Sequence, residues 1–186
     1  LLCIMIRASE DAEGTALRLA PRGPEKQRKD RGNMKQTESE QRLHSVIIPC
    51  YKSDQTIRKV VELTMAEFER MGRNRYEFVL VDDNSPDGGK TVRVLRELVR
   101  DYPCVRVVEL AKNSGQHNAV MAGLNYAAGD IIIAMDDDMQ THPSQLPKIL
   151  GELDQGYDIV YGYYPQKKHS RFRNFGSYIN YLTVRI

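Results

Sequence analysis

Apolar positions along the chain fall into two alternating patterns. Short, nearly unbroken apolar runs occur at Val46 to Ile48, Phe78 to Val81, Val105 to Val108, Ile131 to Met135 and Ile159 to Tyr161. Runs of this length, rich in β-branched residues, predict strands buried on both faces. Between them the apolar period lengthens. Ile57, Val60, Val61, Met65, Phe68 and Met71 recur at helical spacing behind Ser53 and Asp54, either of which can cap the helix start. Val92, Leu95, Val99 and Tyr102 predict a second helix, and a third spans about Gln116 to Ala128, closing at Gly129. Strand and helix alternate four times. That order predicts an α/β fold with a doubly wound, mostly parallel sheet, whose ligands bind beyond the carboxyl ends of the strands.

The flanks read differently. From residue 21 to 42 the only apolar side chain is Met34, and Pro21, Gly23, Pro24 and a basic run keep the segment solvated. Residues 1–43 therefore read as a charged, disordered tail, 44–165 as the single folded domain, and 166–186 as the start of a further segment. Residues 21–35 hold six basic and two acidic side chains, net +4, against +2 for the whole chain of 186 residues, so the remainder carries −2. With no aromatics interleaved, the basic stretch reads as a leader rather than a nucleic-acid patch. Leu1 to Ile6 is too short and lacks the preceding basic residues of a signal peptide, and Met34 is a candidate natural start. No apolar run approaches the roughly 20 residues that span a bilayer. Cys3, Cys50 and Cys104 show no C-x-x-C spacing, which points away from a disulfide framework or zinc site and toward a reducing, cytoplasmic setting.

Candidate chemistry concentrates at two strand ends. The second strand runs into Asp82-Asp83-Asn84-Ser85 and the fourth into Asp136-Asp137-Asp138, which puts five carboxylates on one edge of the sheet. Like charges so close repel unless a cation joins them, and hard oxygen donors suit Mg²⁺ or Mn²⁺ with phosphate oxygens completing the shell. On an extended chain Asp136 and Asp138 project to one side and can share an ion, while Asp137 points away. An EF-hand starting at Asp136 fails, because Thr141 and Pro147 stand where Gly and Glu are needed. Asn84-Ser-Pro-Asp-Gly-Gly-Lys90-Thr91 ends like a phosphate-binding P-loop, but Asn84 replaces its first glycine and Pro86 removes a backbone donor. No G-x-G-x-x-G opens a helix, and His44, His117, His142 and His169 show no metal spacing.

Four segments, Val46-Ile-Ile-Pro49-Cys-Tyr51, Val79-Leu-Val-Asp-Asp-Asn-Ser-Pro-Asp-Gly88, Lys112-Asn-Ser-Gly-Gln-His-Asn-Ala-Val-Met-Ala-Gly123 and Met135-Asp-Asp-Asp-Met-Gln140, come in an order and spacing that resembles glycosyltransferase family 2. The likeness covers about residues 45 to 182. It is nearest to the polyprenyl-phosphate glycosyltransferases, and Gly115-Gln-His-Asn-Ala with Ser170-Arg-Phe-Arg173 tilts it toward undecaprenyl-type members. The resemblance implies a GT-A type, Rossmann-like domain that binds a nucleotide-sugar donor. It implies that Pro49 and Tyr51 line the base pocket, that Asp82 and Asp83 read the base, and that Lys112 and Asp137 belong to the donor site. It implies further that Asp136 and Asp138 hold Mg²⁺ or Mn²⁺ against the donor diphosphate, with Gln140 beside them. Where many relatives carry Asn-Glu after the Tyr, this chain has Lys52-Ser53.

For the acceptor, the resemblance implies a polyprenyl phosphate such as undecaprenyl phosphate, held by Arg173 within the basic cluster Lys167, Lys168, Arg171 and Arg173. It implies inverting transfer, a UDP-sugar in preference to GDP-mannose, and work at the cytoplasmic face of a membrane. Phe172, Phe175, Ile179, Leu182 and Ile186 give the last segment one apolar face, which can lie on a bilayer or pack on the sheet. Two other readings stay open at this level: a nucleotide-sugar-binding fragment without turnover, and a soluble transferase acting on a saccharide.

Overall fold

The computed structural model describes residues 3–6, 42–139 and 142–162, and Gln140 and everything from residue 163 onward lie outside them. Eleven elements follow in the order β1 (Cys3–Ile6), β2 (His44–Cys50), α1 (Ile57–Arg70), β3 (Tyr76–Asp82), α2 (Lys90–Asp101), β4 (Val105–Glu109), α3 (Gln116–Leu124), β5 (Ile131–Ala134), a 3₁₀ turn (Pro143–Gln145), α4 (Leu146–Asp154) and β6 (Ile159–Tyr161). They form one six-stranded sheet in the order β4-β3-β2-β5-β1-β6. β2, β3, β4 and β5 run parallel, as the near-continuous apolar runs predict.

The connectivity places the site. From β2 the chain winds outward through β3 to β4, then returns across the sheet to lay β5 on the other side of β2. The order reverses between β2 and β5, and in a doubly wound sheet the crevice beyond the carboxyl ends opens at such a reversal. In register, His44 lies opposite both Tyr76 and Ile131, and Cys50 lies opposite Asp82. The loops after β2, β3 and β5 therefore leave the sheet side by side.

Each face of the sheet carries its own core. Val46, Ile48, Phe78, Leu80, Ile131 and Ile133 point toward α1, α2 and α4 and are wholly buried. Ile47, Val79, Val81 and Ile132 point to the other face, where Ala119 and Ala127 of the α3 segment cover them. The alternation of odd and even residues on β2 and β3 is the period of two expected of strands. α3 approaches so closely because Gly123 faces the sheet. A Cβ there would stand 2.5 Å from Ile47 Cγ2 and 3.1 Å from Val81 Cγ2.

Several expectations are corrected. Cys3–Ile6, read as tail, pairs antiparallel with β5 on one side and β6 on the other. Its four residues are apolar throughout, and the bare flank of β5 offers ladder partners that a solvated tail lacks. α3 stops at Leu124 rather than Ala128. The chain turns there through i→i+3 bonds from Asn125, Tyr126 and Ala127, and the amides of Ala128 and Gly129 go to Glu77 Oε1 (2.7 Å) and Ser45 Oγ (2.8 Å). α2 is rotated from its predicted phase: Thr91, Leu95 and Leu98 are buried, and Val99 is 40% exposed. Neither Ser53 nor Asp54 caps α1, whose N-cap is Thr56 without a side-chain bond.

At the end of the sheet away from the loops, His44 is fully buried. Its Nδ1 faces the Arg75 carbonyl at 3.1 Å and its Nε2 the Arg73 guanidinium at 3.1 Å, and Arg73 in turn pairs with Asp154 of α4. The ring lies 5.3 Å from that of Phe68. Burial, with the Arg73 charge adding to it and Asp154 opposing, lowers His44 from 6.5 to about 4.

Two stability tests follow from this packing. The native state resists protonating His44, so stability is complete above pH 6.5 and is lost as pH falls toward 4. The difference reaches about 3 kcal/mol and is read from urea melts of wild type against His44→Gln, in which that slope flattens. Gly123→Ala is expected to cost about 1–3 kcal/mol by overpacking α3 on β2. Gly151→Ala, mid-helix with nothing within 4 Å of the added Cβ, is expected to gain about 0.5–1 kcal/mol in the same assay.

Candidate active site

Beyond the carboxyl ends of β2, β3 and β5 lies a cleft of about 370 Å³ lined by Pro49, Cys50, Tyr51, Asp83, Asn113, Gly115, Gln116, Asp136, Asp137 and Asp138. Its walls come from four loops, so residues nearly ninety positions apart meet there. Of the residues singled out in the sequence, Pro49, Tyr51, Asp83, Asp136, Asp137 and Asp138 line the cleft. Asp82 and Lys112 do not line it, and Gln140 and Arg173 lie outside the described residues.

Each buried carboxylate here is held by amide or hydroxyl donors. Both Asp83 oxygens are taken by the α3 approach, with Ser114 N donating to Oδ1 at 2.7 Å and Gly115 N to Oδ2 at 2.8 Å. Asp82 turns back on its own loop and accepts from Ser85 Oγ at 2.6 Å and Ser85 N at 3.3 Å. Asp87 accepts from the amides of Gly89, Lys90 and Thr91 at 2.9 to 3.1 Å and from Thr91 Oγ1 at 2.5 Å. Those bonds, the Thr91 hydroxyl foremost, hold its carboxyl below the usual range. The P-loop-like segment is thus closed by its own aspartate. A protein carboxylate, Asp83, also occupies the two amides that lead into α3, and at the start of α2 Asp87 takes the place a phosphate would need.

The Asp136-Asp137-Asp138 turn divides its side chains. Asp138 is exposed and Asp136 half-buried, with Gln116 Nε2 donating to Asp136 Oδ1 at 2.6 Å. Asp137 is drawn inward, accepting from Ser53 Oγ and from Tyr51 N. Burial raises its pKa, and the neighbouring Asp138 charge adds to the effect against those two donors. Cys50, also in the wall, has its thiol pushed well above the ordinary value by burial and by the charges of Asp137 and Asp82, so it stands as a neutral thiol rather than a nucleophile.

Whether a divalent cation fits is decided by the donor set. Among the described residues no group of three or more His, Cys, Asp or Glu is placed to hold a metal. Asp136 and Asp138 offer a pair of hard carboxylates at the cleft. That suits an ion such as Mg²⁺ or Mn²⁺, which takes one or two protein carboxylates and fills its shell with substrate phosphate and water.

The backbone marks the same place. Lys52 (φ 58°), Asn84 (φ 52°) and Met139 (φ 60°) are the non-glycine residues at positive φ among those described, and they lie in the loops after β2, β3 and β5. Left-handed backbone at a non-glycine residue is costly and persists where surroundings over-determine it, commonly at functional sites. Gln116, Asn113 and Ser53 were not singled out as site residues in the sequence. The Gly115-Gln116 step was a signal for the first, since Gly115 sits at φ 86° directly before α3 and aims the next side chain at the cleft.

The comparisons with known proteins agree with this geometry. Residues 45–183 match the family model described as glycosyl transferase family 2. Over 135 residues the chain is 39% identical to an undecaprenyl-phosphate 4-deoxy-4-formamido-L-arabinose transferase of Edwardsiella ictaluri (strain 93-146), covering 72% of this chain and 40% of that protein. The chain thus spans well under half the length of this curated relative. Among solved structures it is similar to the mannosyltransferase PcManGT from Pyrobaculum calidifontis, in complex with GDP-Man and Mn²⁺, with a TM-score of 0.50 and 24% identity over 59% of this chain and 31% of that one. This second likeness bears on the fold alone, which is the GT-A type. By the match over three quarters of its length, the chain belongs to glycosyl transferase family 2.

Proposed function

We propose that this domain binds a nucleotide-sugar donor in the cleft beyond β2, β3 and β5 and serves transfer of the sugar to a polyprenyl phosphate. The observation that carries the reading is the meeting of Pro49, Tyr51 and Asp83 with Asp136 and Asp138 in one cleft, within a chain of this family. The name of the undecaprenyl-phosphate relative supports a polyprenyl phosphate acceptor, and the undecaprenyl-type resemblance of the sequence favours a UDP-sugar as donor. GDP-mannose is the alternative donor, and GDP-Man is what the structural neighbour binds.

In this reading Tyr51, 45% exposed at the cleft, offers its ring to the base, and Asp83 offers carboxylate lone pairs to a base N–H. Asp136 and Asp138 hold Mg²⁺ or Mn²⁺. When bound, the ion neutralises charge on the departing nucleoside diphosphate. Because the start of α2 is closed by Asp87, that helix offers the diphosphate no free amides, and the cation supplies the counter-charge. An acceptor phosphate is largely dianionic at neutral pH and can attack the anomeric carbon without a protein base, with inversion and loss of the nucleoside diphosphate. Arg173, with Lys167, Lys168 and Arg171, is the proposed clamp for the lipid phosphate, working at the cytoplasmic face of a membrane. Among the described residues no helix is long and apolar enough to cross one.

Thermal unfolding with UDP, GDP, CDP or no nucleotide, each with and without Mn²⁺, tests the donor site. One nucleotide at a hundred times its dissociation constant is expected to add roughly 2.7 kcal/mol in the presence of Mn²⁺, and Asp138→Asn is expected to abolish the gain. No shift with any nucleotide would refute the donor site. Transfer of radiolabelled sugar to undecaprenyl phosphate, lost in Arg173→Ala, is the expected result for the acceptor. Donor binding without product would leave a nucleotide-sugar-binding module, and transfer to a saccharide without lipid would leave a soluble transferase.

A further inference from the structure

The loop after β2 is clamped in an unusual way. Its three consecutive backbone amides donate to side chains from the loop after β5, the loop after β3 and the first turn of α2: Tyr51 N to Asp137 at 3.4 Å, Lys52 N to Ser85 Oγ at 3.0 Å and Ser53 N to Thr91 Oγ1 at 2.9 Å. Ser53 is 2% exposed and Thr91 wholly buried. The Thr91 hydroxyl passes its own proton to Asp87, so it accepts from Ser53 and donates to Asp87 at once. The Ser53 hydroxyl donates to Asp137. A chain of hydrogen bonds with Thr91 and Ser53 buried at its centre therefore runs Asp87, Thr91, Ser53, Asp137, through the backbone N–H and then the hydroxyl of Ser53, from the start of α2 to the middle of the Asp136-Asp137-Asp138 turn.

We infer that Ser53 and Thr91 are positioning residues that anchor Asp137 and thereby hold Asp136 and Asp138 in place to bind a divalent cation. This rests on the donor-site reading of the cleft. The geometry gives Asp137 a role distinct from its neighbours. It is pulled into the protein by a hydroxyl and an amide of another loop, while Asp136 and Asp138 flank it at the cleft. An acidic turn without that anchor would separate its three like charges by swinging outward. Met139 at φ 60°, next in the chain, is the backbone conformation that the anchored turn requires. A carboxylate at position 53 would face Asp137 with like charge, so the hydroxyl donor is the residue type this arrangement needs.

The test compares wild type with Ser53→Ala, Thr91→Val and Thr91→Ser. Nucleoside diphosphate affinity is measured by calorimetry with and without Mn²⁺, and hydrogen exchange is measured on the peptide spanning 135–139. Ser53→Ala and Thr91→Val are expected to shrink the Mn²⁺-dependent part of the affinity by about tenfold, as loss of a residue orienting metal ligands does. Metal-free affinity is expected to stay within about twofold, and Thr91→Ser, which keeps the hydroxyl, to behave as wild type. Exchange at 135–139 is expected to quicken in the first two variants and not in the third. An unchanged Mn²⁺-dependent increment in folded Ser53→Ala overturns the inference, as does an equal loss with and without metal. If wild type binds no nucleotide under any condition, the donor-site reading falls. Exchange at 135–139 then decides the anchoring by itself, and protection equal to wild type in Ser53→Ala overturns it.

Discussion

Everything at the functional edge of this domain depends on keeping five aspartates together at the ends of β3 and β5, the two strands that flank β2. Mutual repulsion would push Asp82, Asp83, Asp136, Asp137 and Asp138 apart in water, and burial would raise the cost of each charge. The fold meets this by giving the buried and half-buried ones amide and hydroxyl donors: Ser114 and Gly115 for Asp83, Ser85 for Asp82, Ser53 and Tyr51 for Asp137. The bonds to Asp83 and Asp137 also tie one loop to another, while that to Asp82 closes its own turn. The carboxylates are at once the charge problem and the staples of the site.

That solution has a consequence for phosphate chemistry. Many doubly wound proteins receive a ligand phosphate on free amides at a helix start. Here the amides before α3 serve Asp83 and those at the start of α2 serve Asp87. At the start of α2, negative charge from the protein already fills the position a phosphate would take. What is left at the cleft is an arrangement that attracts a cation, carried by Asp136 and Asp138. The resemblance of Asn84 to Thr91 to a phosphate loop is thus a resemblance of letters, since its amides turn inward onto Asp87.

Much of this was legible along the chain. The apolar runs at Val46, Phe78, Val105 and Ile131 placed the parallel strands, and the strand-end position of the Asp pairs placed the chemistry. The helix phases were less legible. In α2, Val92 and Val99 look like core positions, yet Thr91, Leu95 and Leu98 are the buried ones, because the face turned to α1 and the sheet is set by docking that one-dimensional periodicity does not contain. Ser53 looked like a cap for α1 because its residue type favours caps. A half-buried carboxylate 84 residues away competes for the same hydroxyl and takes it.

The sequence by itself determined the alternation of strand and helix, the family, and which strand ends carry carboxylates, since these follow from local periodicity and residue order. Only the tertiary structure decided which aspartates face the cleft and which are spent internally. That choice depends on which loops emerge next to one another, and adjacency comes from the reversal of strand order between β2 and β5. Asp83 and Asp82 are chain neighbours with the same chemistry. One lines the cleft and the other closes its own turn because α3 arrives beside the first.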